Sequence, residues 1–424
     1  YLSSYILNIP SAAALVRALK DNPYLALACG FPNPWVVPSE ATYSRFVSKL
    51  VQHQAPRNLD EIFQALARDV LTVAPPLRPY VDFLQAQWVS QLVDREIPHP
   101  YPSPREVLEK AVALNRRALG EVVGWAGAEA RDTALVLSIL RRNLPMSLVN
   151  LGREYQRQGE ADPAIGCFSE GATLFAALND FVGLGDCELN AGIALLTINP
   201  ARCRSRLEAA HEHYARAGNL QKMATTQAYL GDLARKQSDW PAAKSHYHLA
   251  RQIAGSVGDY GAEAEATLRA AETDALAGQI DSSLAAVDGI VDFCRRRGLI
   301  DLHCQALLLK AACLMNKGQS DLAMDCIVDA LASSRQAPGK GVFDKVMKGF
   351  LRAVQVAVTR GDRDTIVRAC RRVAAGWPNA DQILRTCKAV ELACSGQPGL
   401  AREAVASLGE PFTTFVNQLI DHTP

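Results

Sequence analysis

Five small residues recur at an almost constant interval along this chain. They are Gly152, Gly192, Gly231, Ala271 and Ala311, spaced 40, 39, 40 and 40 residues apart. A period of that size marks a stacked-repeat architecture, in which each repeat buries its apolar face only against its neighbours. Such stacks build long surfaces that grip other molecules, and they rarely carry chemistry.

The clearest repeat runs Tyr229-Leu230-Gly231-Asp232-Leu233-Ala234, then a turn at Ser238-Asp239-Trp240, then Ala243, Tyr247 and Ala250. Others hold Gly152, Tyr155, Gly159, Ala164 and Phe168; Ala271, Gly278, Ser283 and Val287; and Ala311, Leu314, Gly318, Ala323 and Ile327. Apolar residues recur at three- and four-residue steps on both sides of each turn, which predicts two amphipathic helices per repeat. Two helices approach closely only where a side chain is small, and a large residue nearby fills the space beside that contact.

Leu151, Gly152, Tyr155, Ala164 and Phe168, and again Leu230, Gly231, Ala243, Tyr247 and Ala250, give the chain a pattern that resembles the tetratricopeptide repeat. The usual repeat has 34 residues, so 40 is a departure. The extra residues are expected between repeats, at Leu178-Asn179-Asp180, Ala217-Gly218-Asn219, Val257-Gly258-Asp259 and Arg297-Gly298-Leu299. Longer repeats with this junction are similar to those of kinesin light chains and of peptide-sensing bacterial regulators. Two further repeats turn at Gly361-Asp362 and at Gly396. The resemblance spans roughly residues 145 to 410 and specifies a fold better than a ligand.

The 424 residues, 49% of them hydrophobic, suffice for a continuous repeat core plus one more domain. The eleven cysteines are scattered singly without a Cys-x-x-Cys pair, which predicts reduced, buried thiols rather than a disulfide framework. No apolar run is long enough to span a membrane, and no secretory signal pattern is found, so a cytoplasmic protein is expected.

Residues 1 to about 100 break the period. The run Leu15-Val16-Arg17, Asn22-Pro23, Ala28-Cys29-Gly30-Phe31, Val37 to Phe46 and Leu59 to Phe63 is similar to the N-terminal domain of DDE transposases of bacterial insertion sequences. In that family the domain precedes a catalytic domain whose three carboxylates hold two metal ions. Here no alternating apolar strands follow, and helical repeats stand in their place, so no transposition is expected. The first hundred residues carry eight Lys plus Arg and eight Asp plus Glu, a poor footprint for binding DNA. The expected organisation is a helical domain over 1–70, a Pro-rich connector over 71–104, capping helices over 105–145 and a repeat array over 146–424.

No catalytic residue, metal site or cofactor is predicted. His211-Glu212-His213 and His246-Tyr247-His248 place their imidazoles two apart, about 200° around a helix, where they cannot share an ion. Pro338-Gly339-Lys340-Gly341 lacks the spacing of a phosphate loop. A basic run is more informative. Residues 333–378 hold ten cations against three anions in a chain whose total is +1. Lys345, Lys348 and Arg352 share one helix face, and Arg368, Arg371 and Arg372 another.

The resemblance implies that, in the first helix of each repeat, positions one and four or five after the small residue face an inner groove. This places Arg153, Arg157, Asp232, Arg235, Lys236 and Glu272 there, with Asn150 and Asn190 one turn earlier. Mixed charges and amides suit an extended peptide, whose backbone amides can hold. The chain therefore reads as all-α, a tetratricopeptide-like helical-repeat solenoid of about six repeats preceded by a small helical domain. Its expected work is non-catalytic binding of a protein or peptide, as a scaffold or regulator of bacterial type. The alternative is a transposase-derived, nucleic-acid-associated protein that touches phosphates with the basic face.

Overall fold

The computed structural model describes residues 103–123, 130–336, 340–376 and 381–406, with scattered helical positions between 68 and 89 and between 416 and 420. The transposase-like stretch and the connector fall almost wholly outside these residues. The described residues form helices and turns, and no strand. The fifteen helices divide between two compact units, residues 1–218 and 219–424.

The first unit holds α1 (Pro104–Val123), α2 (Ala130–Arg157), α3 (Ala161–Ala177), α4 (Phe181–Leu195) and α5 (Pro200–Arg216), each packed on the next. Helix α2 runs through position 145/146, where the sequence divides capping helices from repeat array, and carries Pro145 within it. Helix α1 covers the open side of α2. Leu108 and Val112 meet Leu144, Leu148 and Leu151, and the amide of Asn115 donates to Ser147 at 3.0 Å. Arg117 donates two hydrogen bonds, of 2.6 and 2.5 Å, to the buried carboxylate of Asp82.

The second unit holds α6 (Leu220–Lys236), α7 (Trp240–Ser256), α8 (Tyr260–Leu276), α9 (Ile280–Arg297), α10 (Ile300–Asn316), α11 (Ser320–Ser334), α12 (Lys340–Thr359), α13 (Arg363–Gly376), α14 (Asp381–Cys394) and α15 (Pro398–Val405). Helices pack in chain order as antiparallel pairs, and the first helix of one pair also touches the first helix of the next, as α6 does α8 and α8 does α10.

The sequence places the turns. Asp180, Asn199, Asn219, Asp239 and Asp259 each precede a helix, and each side chain accepts a hydrogen bond from the backbone N–H three residues on. Such caps are worth about 1 kcal/mol apiece. The residue just before a cap position is left-handed at Gly218 (66°), Gly258 (72°) and Gly278 (80°), a conformation that costs glycine nothing. The forty-residue period corrects one expectation. Helices α6 and α7 have 17 residues each, and the turns at 237–239 and 257–259 are equally short. The extra length lies within the helices rather than at the junctions.

The recurring small residues do what their size predicts. A methyl group on Gly152 would stand 2.5 Å from the ring of Phe168, on Gly192 2.8 Å from Leu207, and on Gly231 2.6 Å from the ring of Tyr247. Each is a real helix–helix contact within one pair. Gly185 makes another, 2.5 Å from Tyr214, that the forty-residue interval does not mark.

Candidate functional site

In the second unit the site is built from the core outward. Tyr247 of α7 is fully buried, with its ring against Gly231 of α6. Its hydroxyl donates to Asp232 Oδ1 at 2.7 Å. Burial first, and then the Asp232 charge, push the phenol well above its ordinary value, so it remains a donor. The carboxylate of Asp232 also binds two guanidinium groups. Arg235, on the same helix, donates to it at 3.2 Å. Arg269, on the neighbouring α8, donates to Oδ2.

Arg269 continues to Glu265 at 2.5 Å and stands 5.9 Å from the centre of the Tyr229 ring. Burial pulls its guanidinium down, but Asp232 and Glu265 outweigh that and leave it above its ordinary value. Arg235 reaches across to Glu272 of α8 at 3.4 Å. Its Nε is buried with no acceptor among the described residues. Loss of hydration raises the Glu272 carboxyl, against the pull of Arg235 and Arg269. Two cross-helix pairs, Asp232–Arg269 and Arg235–Glu272, thus tie α6 to α8 at the same 37-residue offset.

The first unit repeats the idea with different parts. Tyr214 of α5, buried against Gly185, donates to Asp186 Oδ1 of α4 at 2.6 Å. Asn190, one turn along, donates to the Asp186 carbonyl at 2.6 Å and accepts from Arg153 Nε of α2 at 3.3 Å, again 37 residues apart.

Of the residues predicted for the groove, Asp232, Arg235 and Glu272 therefore form one cluster, and Arg153 and Asn190 form a pair. Arg157 turns to Glu154 on its own helix at 2.6 Å. Lys236 is exposed and Asn150 half-buried, and neither joins a partner predicted with it. Sequence reasoning missed Arg269, Glu265 and Asp186. Arg269 had a signal, because it lies two residues before Ala271, the offset at which Asn150 and Asn190 precede their glycines.

The basic face divides. Arg368 donates to Asp321 at 2.5 Å, Arg372 to Asp325 with Asp329 at 3.8 Å, and Arg371 lies 3.4 Å from Glu391. These three arginines are occupied within the second unit. Lys345, Lys348 and Arg352 of α12 are exposed. No group of three or more His, Cys, Asp or Glu among the described residues could hold a metal ion. No described helix is long and apolar enough to cross a membrane.

Residues 148–337, just under half of the chain, match the family model of the soluble NSF attachment protein, SNAP. No curated protein sequence matches the chain. Among solved structures, the chain is similar to a signal transduction ATPase with numerous domains, carrying a tetratricopeptide repeat sensor, from Pyrococcus horikoshii. The identity is 12%, over 96% of this chain and 53% of that one, with a TM-score of 0.50. The present chain thus spans about half the length of that protein. Matches with lower TM-scores include BtubC from P. vanneervenii (16% identity, 55% of this chain and 87% of that one, TM-score 0.41) and aspartyl phosphate phosphatase F from Bacillus subtilis (11%, 76% and 93%, TM-score 0.47). The family match and the Pyrococcus structure place the fold among tetratricopeptide-like helical repeats.

Proposed function

We propose that the chain is a non-catalytic binding protein whose second unit holds an extended segment of a protein partner along the first helices of its pairs, at Asp232, Arg235, Arg269 and Glu272. The observation that carries this reading is the pair of cross-helix bridges. They fix two guanidinium groups and two carboxylates before any ligand arrives, so less side-chain entropy is lost on binding. Arg235 and Glu272 stay partly exposed, where a peptide can meet them. Arg153 and Asn190 offer a guanidinium and an amide for the same purpose in the first unit. The names of the matches accord with this. One family is named for attachment to another protein, and the Pyrococcus repeats are described as a sensor.

The test is capture of partners from lysate by the tagged full chain, with and without nuclease, followed by the Arg153→Glu and Arg235→Glu double variant. A protein recovered in both conditions and weakened about tenfold or more by the double variant supports the reading. Undiminished capture by the folded variant removes these residues from the site.

A further inference from the structure

Helix α12 presents Lys345, Lys348 and Arg352 on one exposed face at three- and four-residue steps. None of their side chains has a hydrogen bond or ion pair among the described residues. The only carboxylate of α12 is Asp344, also exposed. The stripe is a local surplus of positive charge in a chain that is otherwise nearly neutral.

The second unit itself shows what satisfies such a stripe. Helix α11 carries Asp321, Asp325 and Asp329 at four-residue steps, and α13 answers with Arg368 and Arg372 at the same step. Here an acidic helix lies beside a basic one, and the charges meet turn by turn. Helix α12 offers the same spacing with no carboxylate paired to it among the described residues. Its three cations span about 10 Å of helix at 1.5 Å per residue, the length of two helical turns. That suits two turns of a second helix. It suits a nucleic-acid backbone poorly, because tight, salt-sensitive DNA binding rests on about six to ten phosphate contacts, and the α13 arginines are already taken.

We infer that the Lys345–Lys348–Arg352 face of α12 docks an acidic helix of a protein partner, with carboxylates at three- and four-residue steps. The face lies beyond the segment matched to the attachment-protein family, residues 148–337. It shares no residue with the Asp232 cluster, so it can fail while that reading stands, and the reverse.

The experiment is fluorescence anisotropy of the full chain with a labelled alanine-rich helical peptide of about 20 residues. Its three glutamates are spaced to face the stripe. A scrambled peptide of equal charge and a 20-base-pair DNA duplex serve as competitors. The expected result is binding that the K345E/K348E/R352E variant weakens about tenfold or more. Binding should return when the peptide's glutamates become lysines, and that recovery also shows the variant to be folded. K345Q/K348Q/R352Q should lie between the two. Equal affinity for the scrambled peptide, no loss in the reversed variant, or no recovery with the lysine peptide would each overturn the inference. Tighter binding to the duplex than to the peptide, lost in the variant, would overturn it in favour of a phosphate site.

Discussion

Tyr214 with Asp186 in the first unit and Tyr247 with Asp232 in the second are the same device at two registers. In both, a tyrosine packs its ring on a glycine of the partner helix and passes its hydroxyl to an aspartate one residue further on. The aspartates are then used differently. Asp232 holds two arginines, one of them on the next pair. Asp186 receives the tyrosine, and Arg153 donates to the amide oxygen of Asn190. A shared core contact can therefore support either a charged lattice or a looser polar one, depending on what the neighbouring helix brings.

Removing the carboxylates should separate the two most. Asp232→Ala leaves Arg269 and Arg235 without their shared anion and Tyr247 without an acceptor, an expected loss of about 3 kcal/mol. Asp186→Ala takes the acceptor from one buried hydroxyl, at about 1 kcal/mol for that bond. Urea denaturation midpoints read both, and equal losses would erase the distinction between the units.

The glycines sharpen what is common. Gly231→Ala and Gly185→Ala each push a methyl group into a tyrosine ring, and each should cost about 2 kcal/mol. Gly289→Ala, with open space around it, should instead stabilise helix α9 by up to about 1 kcal/mol. Thermal midpoints of the three variants test the ordering. Tyr247→Phe and Tyr214→Phe keep the rings and lose one hydrogen bond each, so both should fall by about 1 kcal/mol. A much larger loss at Tyr247 would mean that the hydroxyl also orders the arginines.

The smallest expected effects are in pH dependence, and they oppose each other. In the first unit, hydrogen bonds from Arg105 and then Tyr155 hold Glu109 below its ordinary value. Its stabilisation is present above the unfolded carboxyl value and is lost as pH falls through the depressed one. In the second unit, Glu272 is raised by loss of hydration. The native state then keeps the proton longer than the unfolded chain, so stability declines as pH rises from the unfolded value through the raised one. Glu109→Gln and Glu272→Gln should each flatten the corresponding slope in stability measured from pH 3 to pH 7. Slopes of the same sign would contradict the assignment.

The repeat, its turns and its glycine contacts were legible because each is local or periodic. A small residue at a fixed interval has few uses besides a close helix contact, and Gly152 and Gly231 make it. The offsets implied by the resemblance also named Asp232, Arg235 and Glu272, which the structure brings into one cluster. Arg269 escaped because the offset two before the small residue was read only at Asn150 and Asn190, and its partner lies 37 residues back. The basic run misled in a related way. Counting charge over residues 333–378 leaves out Asp321, Asp325 and Asp329, which neutralise α13 from the helix two places earlier. A linear window does not contain its spatial partners. The transposase-like stretch and the connector have no such reading, since they fall almost wholly outside the described residues.

Nine of the ten described cysteines are buried and outside any disulfide, and Cys167 is half-buried. Burial pushes the Cys187 thiol up to about 12 and those of Cys294 and Cys304 to about 11. A thiol reagent meets such a group only after its helix pair opens. The cysteines are spread from α3 to α14, so the wild-type chain carries its own set of opening clocks. Their labelling rates would report, pair by pair, which helices part first under stress.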